Sequence, residues 1–436
     1  MKAFLSGWSV FILILTTTYG ATIHVDANAA DGGDGSAELP FKLFGNGLNV
    51  ADNDDTILVR GGEGQIYDDY PYNIWQTNLS VAATGSGKPL FQVTGASVVV
   101  NTGVFNVSAP QFKMTGLQFY GNSAACGNEN SAMIWLTDTA GDAIFDSNHF
   151  EWDTSNTIKM GSAIRVADGA DNVVVRDNIV KNFRYQYSNN AVFSLKNYAV
   201  VVGNLFANTQ TAVTLGSYCQ VVSNTVINSN CENGSLSRGG YGSGKSATVA
   251  YNVIYQNNGK VNPVIQKNRE SFGTASSMAP PTRIFNNTVA GASSLIRCDR
   301  SDVHSSTWEP LIVNNIAYCT STNIVDVSTI IDERNYDGQT VFGPGTIIQN
   351  NLLISDLGVI FEERVTPLCA DNVFNNSDHR VTFLETENYH SEKYFVPGEA
   401  DLAHINAGYG TPENGYATWI GARPGYTSPG TILMIY

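Results

Sequence analysis

Charge is scarce in this chain, and positive charge is scarcer still. Only 14% of its 436 residues are charged, with 24 Lys and Arg against 39 Asp and Glu, a net charge of −15. A nucleic-acid partner is not expected, because phosphate binding needs a basic surface. Any anionic ligand has to be met by a local cluster of Lys and Arg. Long apolar runs are missing after the first twenty residues, so no membrane span of about 20 apolar residues is expected. The six histidines, His24, His149, His304, His379, His390 and His404, are scattered without metal-ligand spacing, and the six cysteines include no C-x-x-C pair. No G-x-S-x-G, H-E-x-x-H or phosphate-binding glycine loop occurs.

What is present is apolar and aromatic: 43% hydrophobic residues, 11% of them Phe, Trp or Tyr by chain fraction, enough for a large core. The opening "MKAFLSGWSVFILILTTTYG" has one Lys, an apolar run from Trp8 to Leu15 and small residues ending at Thr18 and Gly20, the layout of a secretory signal peptide. Residues 1–20 are therefore read as a leader, and the mature chain as secreted, extracellular or periplasmic. In that compartment Cys126, Cys219, Cys231, Cys298, Cys319 and Cys369 are able to pair. Cys219, Cys298 and Cys369 also replace Val or Ile at inward positions, so buried thiols are an equal expectation. Asn-x-Ser/Thr triplets begin at Asn78, Asn106, Asn233, Asn286 and Asn375.

A strand, an Asn and a shorter strand recur along the chain. The copies are "AIFDSNHF" (Asn148), "VVVRDNIV" (Asn178), "AVVVGNLF" (Asn204), "CQVVSNTV" (Asn224), "TVAYNVI" (Asn252), "RIFNNTV" (Asn287), "LIVNNIA" (Asn315), "IIQNNLL" (Asn351) and "LCADNVF" (Asn372). Their Asn are 20 to 36 residues apart, so a unit of about twenty residues carries insertions of variable length, as solenoids do. Such a unit has room for three strands and no helix, and alternation of period two flanks each Asn. Stacking pairs each strand with its copy in the next turn. An Asn at each tight corner, in the left-handed conformation, would then hydrogen-bond its stacked neighbour.

This repeat resembles that of the right-handed parallel β-helix, or pectate-lyase-like, superfamily, which implies an all-β solenoid with an N-terminal cap. The expected organisation is a cap and first coils over 21–94, the β-helix over 95–385 and a C-terminal capping segment over 386–436. The stretch "IHVDANAADGGDGSAELPFK" is similar to the start of many secreted β-helix proteins. Its Asp26, Asn28, Asp31 and Asp34 either bind calcium or close a glycine turn.

The strand before each Asn strand aligns as "AMIWLTD" (132–138), "SAIRVAD" (162–168), "AVFSLKN" (191–197) and "TAVTLGS" (211–217). Alternation puts Ile134, Ile164, Phe193 and Val213 inside and Trp135, Arg165, Ser194 and Thr214 in an outward column, with Asp138, Asp168 and Asn197 at the turn edge. In the superfamily the cleft runs along this outward face, beside long loops such as "KNFRYQYSNN" and "NSNCENGSLSRGGYGSGK". Removing the proton α to a uronate carboxylate needs a positive charge on the carboxylate and a base. Arg165 is the expected carboxylate clamp. Lys196 is the expected base, provided the charges of Arg165, Lys181 and Arg184 keep its amine neutral. Lys181, Arg184, Trp135 and Tyr187 are the expected substrate contacts, and Asp138 and Asp168 the expected calcium ligands.

The segment "FSLKNYAVVVGNLF" is similar to the S-x-K segment of the alginate-lyase and chondroitinase-B family, which implies the base role for Lys196. That family carries Arg-His-Gly in the next coil, where this chain has Leu215, Gly216 and Ser217, and its Glu ahead of the S-x-K segment is missing here. A rival basic cluster comprises Lys267, Arg269, Arg297, Arg300 and His304. The polygalacturonase set of a lone Asp, an Asp-Asp pair, Gly-His-Gly and Arg-Ile-Lys is absent, as are the classical pectate-lyase signatures. The expected function is a monomeric, secreted lyase that cleaves an acidic polysaccharide by β-elimination. A non-catalytic carbohydrate-binding or adhesion β-helix and a uronan C5-epimerase are the alternatives.

Overall fold

The computed structural model describes residues 20–93, 102–121, 131–154, 161–167, 169–183 and 191–229, and beyond these 235–239, 246–256, 264–267, 282–292, 294–298, 310–319, 325–326, 347–354 and 373–375. Three parallel sheets run through these segments. The first holds ten strands, from Tyr72–Ile74 through Gly103–Val107, Ala132–Leu136, Ser162–Val166, Phe193–Ser194 and Val213–Leu215 to Val325–Asp326. The second holds twelve, from Thr22–Val25 to Ile347–Gln349, and the third twelve, from Ile66–Tyr67 to Val373–Asn375. Each turn of the chain contributes one strand to each sheet, and every strand bonds to its copy one turn away. The result is a right-handed parallel β-helix.

Alternation sets which residues enter the core. Ile134 pairs with Ile164 and Ile164 with Phe193, which pairs with Val213, and all four are buried. In the third sheet Phe91, Phe119 and Phe150 stack with centroids 5.5 and 5.0 Å apart, close to parallel. Like residues therefore pack on like residues along the axis. Gly121 is required where this column meets Trp152, because a Cβ there would lie 2.3 Å from the indole. The one helix among the described residues, Phe44–Val50, buries Phe44 against Tyr72, Phe91 and Phe105. No described helix is long and apolar enough to cross a membrane.

The asparagines between the second and third sheets form one ladder from Asn148 to Asn351, with Asn372 outside the described residues. Asn178 donates its backbone N–H and its Nδ2 to Oδ1 of Asn204, both at 2.9 Å, and its Nδ2 also reaches the Phe145 and Arg176 carbonyls. The pattern repeats from Asn204 to Asn224, Asn252, Asn287, Asn315 and Asn351. At the N-terminal end Leu117 occupies the ladder position, and its N–H donates to Asn148 Oδ1 at 3.0 Å.

The left-handed residue of this corner is not the ladder Asn but the one before it. Ser147, Asp177, Gly203, Ser223, Tyr251, Asn286, Asn314 and Asn350 have φ between 52° and 69°. The ladder Asn thereby keeps a backbone that aims its amide inward, while its predecessor makes the bend. This corrects the sequence expectation and accounts for the doubled Asn at 286–287, 314–315 and 350–351. Asn286 is fully buried in this role, so its triplet does not present an exposed acceptor.

The Asp/Gly loop near the start is closed by protein donors. Asp26 accepts from Gln65 at 2.7 Å and Arg60 at 3.1 Å, Asp31 pairs with Lys42 at 3.0 Å, and Asp34 accepts from the Ser36 N–H at 2.9 Å.

Candidate functional site

The outward face of the first sheet reads in register Asn73, Asn106, Trp135, Arg165, Ser194. Thr214 follows Ser194, and the backbone register then runs through positions 238, 266, 297 and 326. Alternation places each strand's polar residue here because its neighbours on both sides are needed by the core. Trp135 and Arg165 are in contact, with the guanidinium carbon 5.3 Å from the centre of the indole ring. The cation is thus within cation–π range of the indole.

Lys196 stands two residues past Ser194, the register partner of Arg165. On a strand rising ~3.3 Å per residue, with ~4.8 Å between strands, this makes Arg165 and Lys196 diagonal neighbours about 8 Å apart on one face. The Lys196 backbone is fixed from the next coil. The thiol of Cys219 donates to its carbonyl at 3.0 Å. At Gly216 a Cβ would lie 2.4 Å from that carbonyl oxygen, so only glycine fits beneath Lys196. The glycine at position 216, within Leu215–Ser217, therefore has a packing cause. Cys219 itself is buried, its thiol pushed up to about 11 by burial, and it is free.

Just beyond Lys196 the chain turns toward the second sheet through Tyr198, and one coil later through Tyr218. Both are left-handed, at φ 57° and 60°, and both are exposed, with rings stacked at 5.0 Å and 6° from parallel. Asp142, Asn172 and Ser246 do the same duty in nearby coils. Bulky residues in that conformation are unusual, and nothing in the local spelling "KNYAV" or "GSYCQ" marked them as a pair.

The structure separates one expected member from this face. Lys181 belongs to the third sheet, in register with Glu151 and Ala207, and its charge acts on His149. The Asn corner lies between it and Arg165 along the chain, so it is on a different side of the solenoid. Burial holds the His149 pKa below its ordinary value, Lys181 and Lys88 push it the same way, and Glu151 opposes them. Glu151 lies 3.2 Å from His149 Nε2 without hydrogen-bond alignment, so burial prevails. Asp138 is exposed at the turn after Ala132–Leu136 and belongs to no cluster of three or more potential metal ligands among the described residues. Asp168, Arg184, Tyr187, Arg269, Arg300 and His304 lie outside the described residues.

Of the rival basic cluster, Arg297 falls in backbone register with the Arg165 position, five strands further along the same sheet, and Lys267 falls one position beyond that register, opposite Cys298. Arg238 was missed, because it sits within an eighteen-residue stretch that reads as a single loop. The usable signal was the buried Leu236 ahead of it, the phase marker of a strand in "SLSRG".

No protein-family model matches the chain, and no curated protein is similar to it. Solved structures do match. A rhamnogalacturonan lyase is similar with a TM-score of 0.54 at 11% identity, over 76% of this chain and 87% of its own. The pectate lyase Pel9A is similar with a TM-score of 0.50 at 13% identity, over 93% of this chain and 96% of its own. At such identities the likeness is one of fold alone. The chain has the right-handed parallel β-helix fold of the pectate-lyase-like proteins.

Proposed function

We propose that the protein is an exported, polysaccharide-active β-helix that binds an acidic polysaccharide along the outward face of its first sheet and cleaves it by β-elimination. The observation that carries this reading is the placement of Arg165 and Lys196 as diagonal neighbours on one face, the first held by Trp135 and the second by Gly216 and Cys219. The names of the two similar structures, a rhamnogalacturonan lyase and a pectate lyase, lend support.

In the proposed reaction the guanidinium of Arg165 pairs with the uronate carboxylate and stabilises the charge that spreads into it as C5 loses its proton. Lys196, as the base, takes that proton. The electron pair left on C5 forms the C4–C5 double bond and expels the C4 oxygen, which is protonated by the newly formed ammonium or by water. Calcium is a second neutralising charge in this proposal, with Asp138 and Asp168 as its ligands. Because Asp138 stands outside any ligand cluster among the described residues, no step is routed through the ion.

The test is incubation with alginate, polygalacturonate, rhamnogalacturonan and glycosaminoglycans, with calcium and with chelator, following ultraviolet absorbance of unsaturated uronate ends. Lys196→Ala is expected to remove at least about 100-fold of the rate, and Arg165→Ala to lower kcat/KM while the fold persists. Rearranged uronate composition without new chain ends would assign the epimerase reaction instead. Retention on a polymer with neither change would leave a binding module.

A further inference from the structure

Trp75 is 69% exposed, the most exposed large apolar side chain among the described residues. Its backbone is nevertheless firmly placed. Ile74 before it is fully buried, and Gln76 after it donates to the carbonyls of Leu48 and Ala51 at the end of the helix. No packing reason accounts for an indole left in water at so fixed a point, since its burial would be worth more than that of any other side chain.

The register says where it stands. Asn73 is in the outward column of the first sheet, so Trp75, two residues on, is on the same face. The ladder continues past the strand end, with the Ser108 N–H donating to Ile74, Thr137 to Val107 and Ala167 to Leu136. Trp75, Ser108, Thr137, Ala167 and Lys196 therefore form one column. Four strand spacings of ~4.8 Å separate Trp75 from Lys196, about 19 Å along the solenoid axis, with Trp135 roughly halfway.

We propose that Trp75 is a distal stacking subsite for a pyranose ring of the same acidic polysaccharide, lying along the axis and reacting at Lys196. This rests on the reading of that face given above. The occupant is a sugar because the indole is continuous with a polar face whose other aromatic, Trp135, is already paired with a cation. A flat, rigid ring presented beside hydrogen-bonding side chains suits the apolar face of a pyranose. The span of about 19 Å is reached by a run of consecutive sugar rings and not by a disaccharide. Trp75 thus confers a preference for long chains.

The experiment uses full-length protein and a size series of oligogalacturonates and oligomannuronates, from disaccharide to octasaccharide, with Kd measured by calorimetry. For the wild type, affinity is expected to step up at the length that first reaches Trp75. Trp75→Ala should remove that step, weakening the octasaccharide about fivefold to tenfold while leaving the shortest bound oligomers unaffected, and Trp75→Phe should restore part of it. The same affinity for all lengths in wild type and Trp75→Ala would overturn the subsite while the proposed function stood. An equal loss at every length would also overturn it. If wild type bound no member of either series and no oligomer of rhamnogalacturonan or of a glycosaminoglycan, the reading of the face and this inference would fall together.

Discussion

Asn204 is hydrogen-bonded to four residues and is almost wholly buried. It accepts from Asn178, and its Nδ2 donates to Val175, Val202 and Asn224. Asn204→Ala leaves buried donors and carbonyls on both sides unsatisfied at once. A destabilisation of about 3 kcal/mol or more is expected, read as a lower urea midpoint. Cys219 is held in the same way: burial keeps its thiol protonated and covered. Mass-spectrometric mapping after alkylation at mildly alkaline pH should find the Cys219 peptide unmodified in the native protein and modified after denaturation. His149 supplies a pH dependence. Its folded pKa is lowered, so the unfolded chain takes up the proton first as pH falls through about 6.5. Below that point the unfolded state binds more protons and stability declines with acidity. His149→Gln should flatten that part of a plot of urea midpoint against pH.

At the scale of the coil, the corners decide geometry. One residue per corner bends into the left-handed region and the next turns its side chain inward, which fixes the phase of the two strands that follow. Glycine is demanded at Gly216, where a Cβ would lie 2.4 Å from the Lys196 carbonyl; at Gly203 the 2.3 Å neighbour is the Asp177 carboxylate, a side-chain end that can move. Gly216→Ala has to displace backbone rather than a flexible side chain. It is therefore expected to lower both the melting temperature and the turnover of any substrate that Lys196 serves, whereas Gly32→Ala, with open space around it, should leave turnover unchanged. The strand phase was legible in the sequence because Ile134, Ile164, Phe193 and Val213 alternate with polar neighbours. The identity of the bending residue was not, since Asn suits both the bend and the ladder and only backbone pairing separates the two roles.

At the scale of the molecule, residues far apart in sequence become neighbours at one strand spacing. That is how Trp75, Arg165 and Lys196 come to share a face although more than one hundred residues separate the first from the last. A net charge of −15 repels a polyanion at long range, so the proposed binding has to rest on local cations such as Arg165. Affinity for the acidic polymer should fall as salt rises, and Arg165→Ala should reduce the slope of log Kd against log salt.

The repeated Asn, the period-two alternation and the shortness of the unit determined the parallel β-helix, because a coil of about twenty residues buries its apolar faces only by stacking on copies of itself. Sequence alone also placed Arg165 and Lys196 on one outward face, since alternation runs unbroken between the Asn marker and the strand before it. It did not place Lys181, Lys267, Arg238 or Trp75. Their positions depend on loops of unequal length, and a change of one residue in a loop moves a side chain from the outward to the inward face. Only the hydrogen-bonded register of the folded coils removes that ambiguity, because each strand's phase is set by its partner one turn away and not by its distance along the chain.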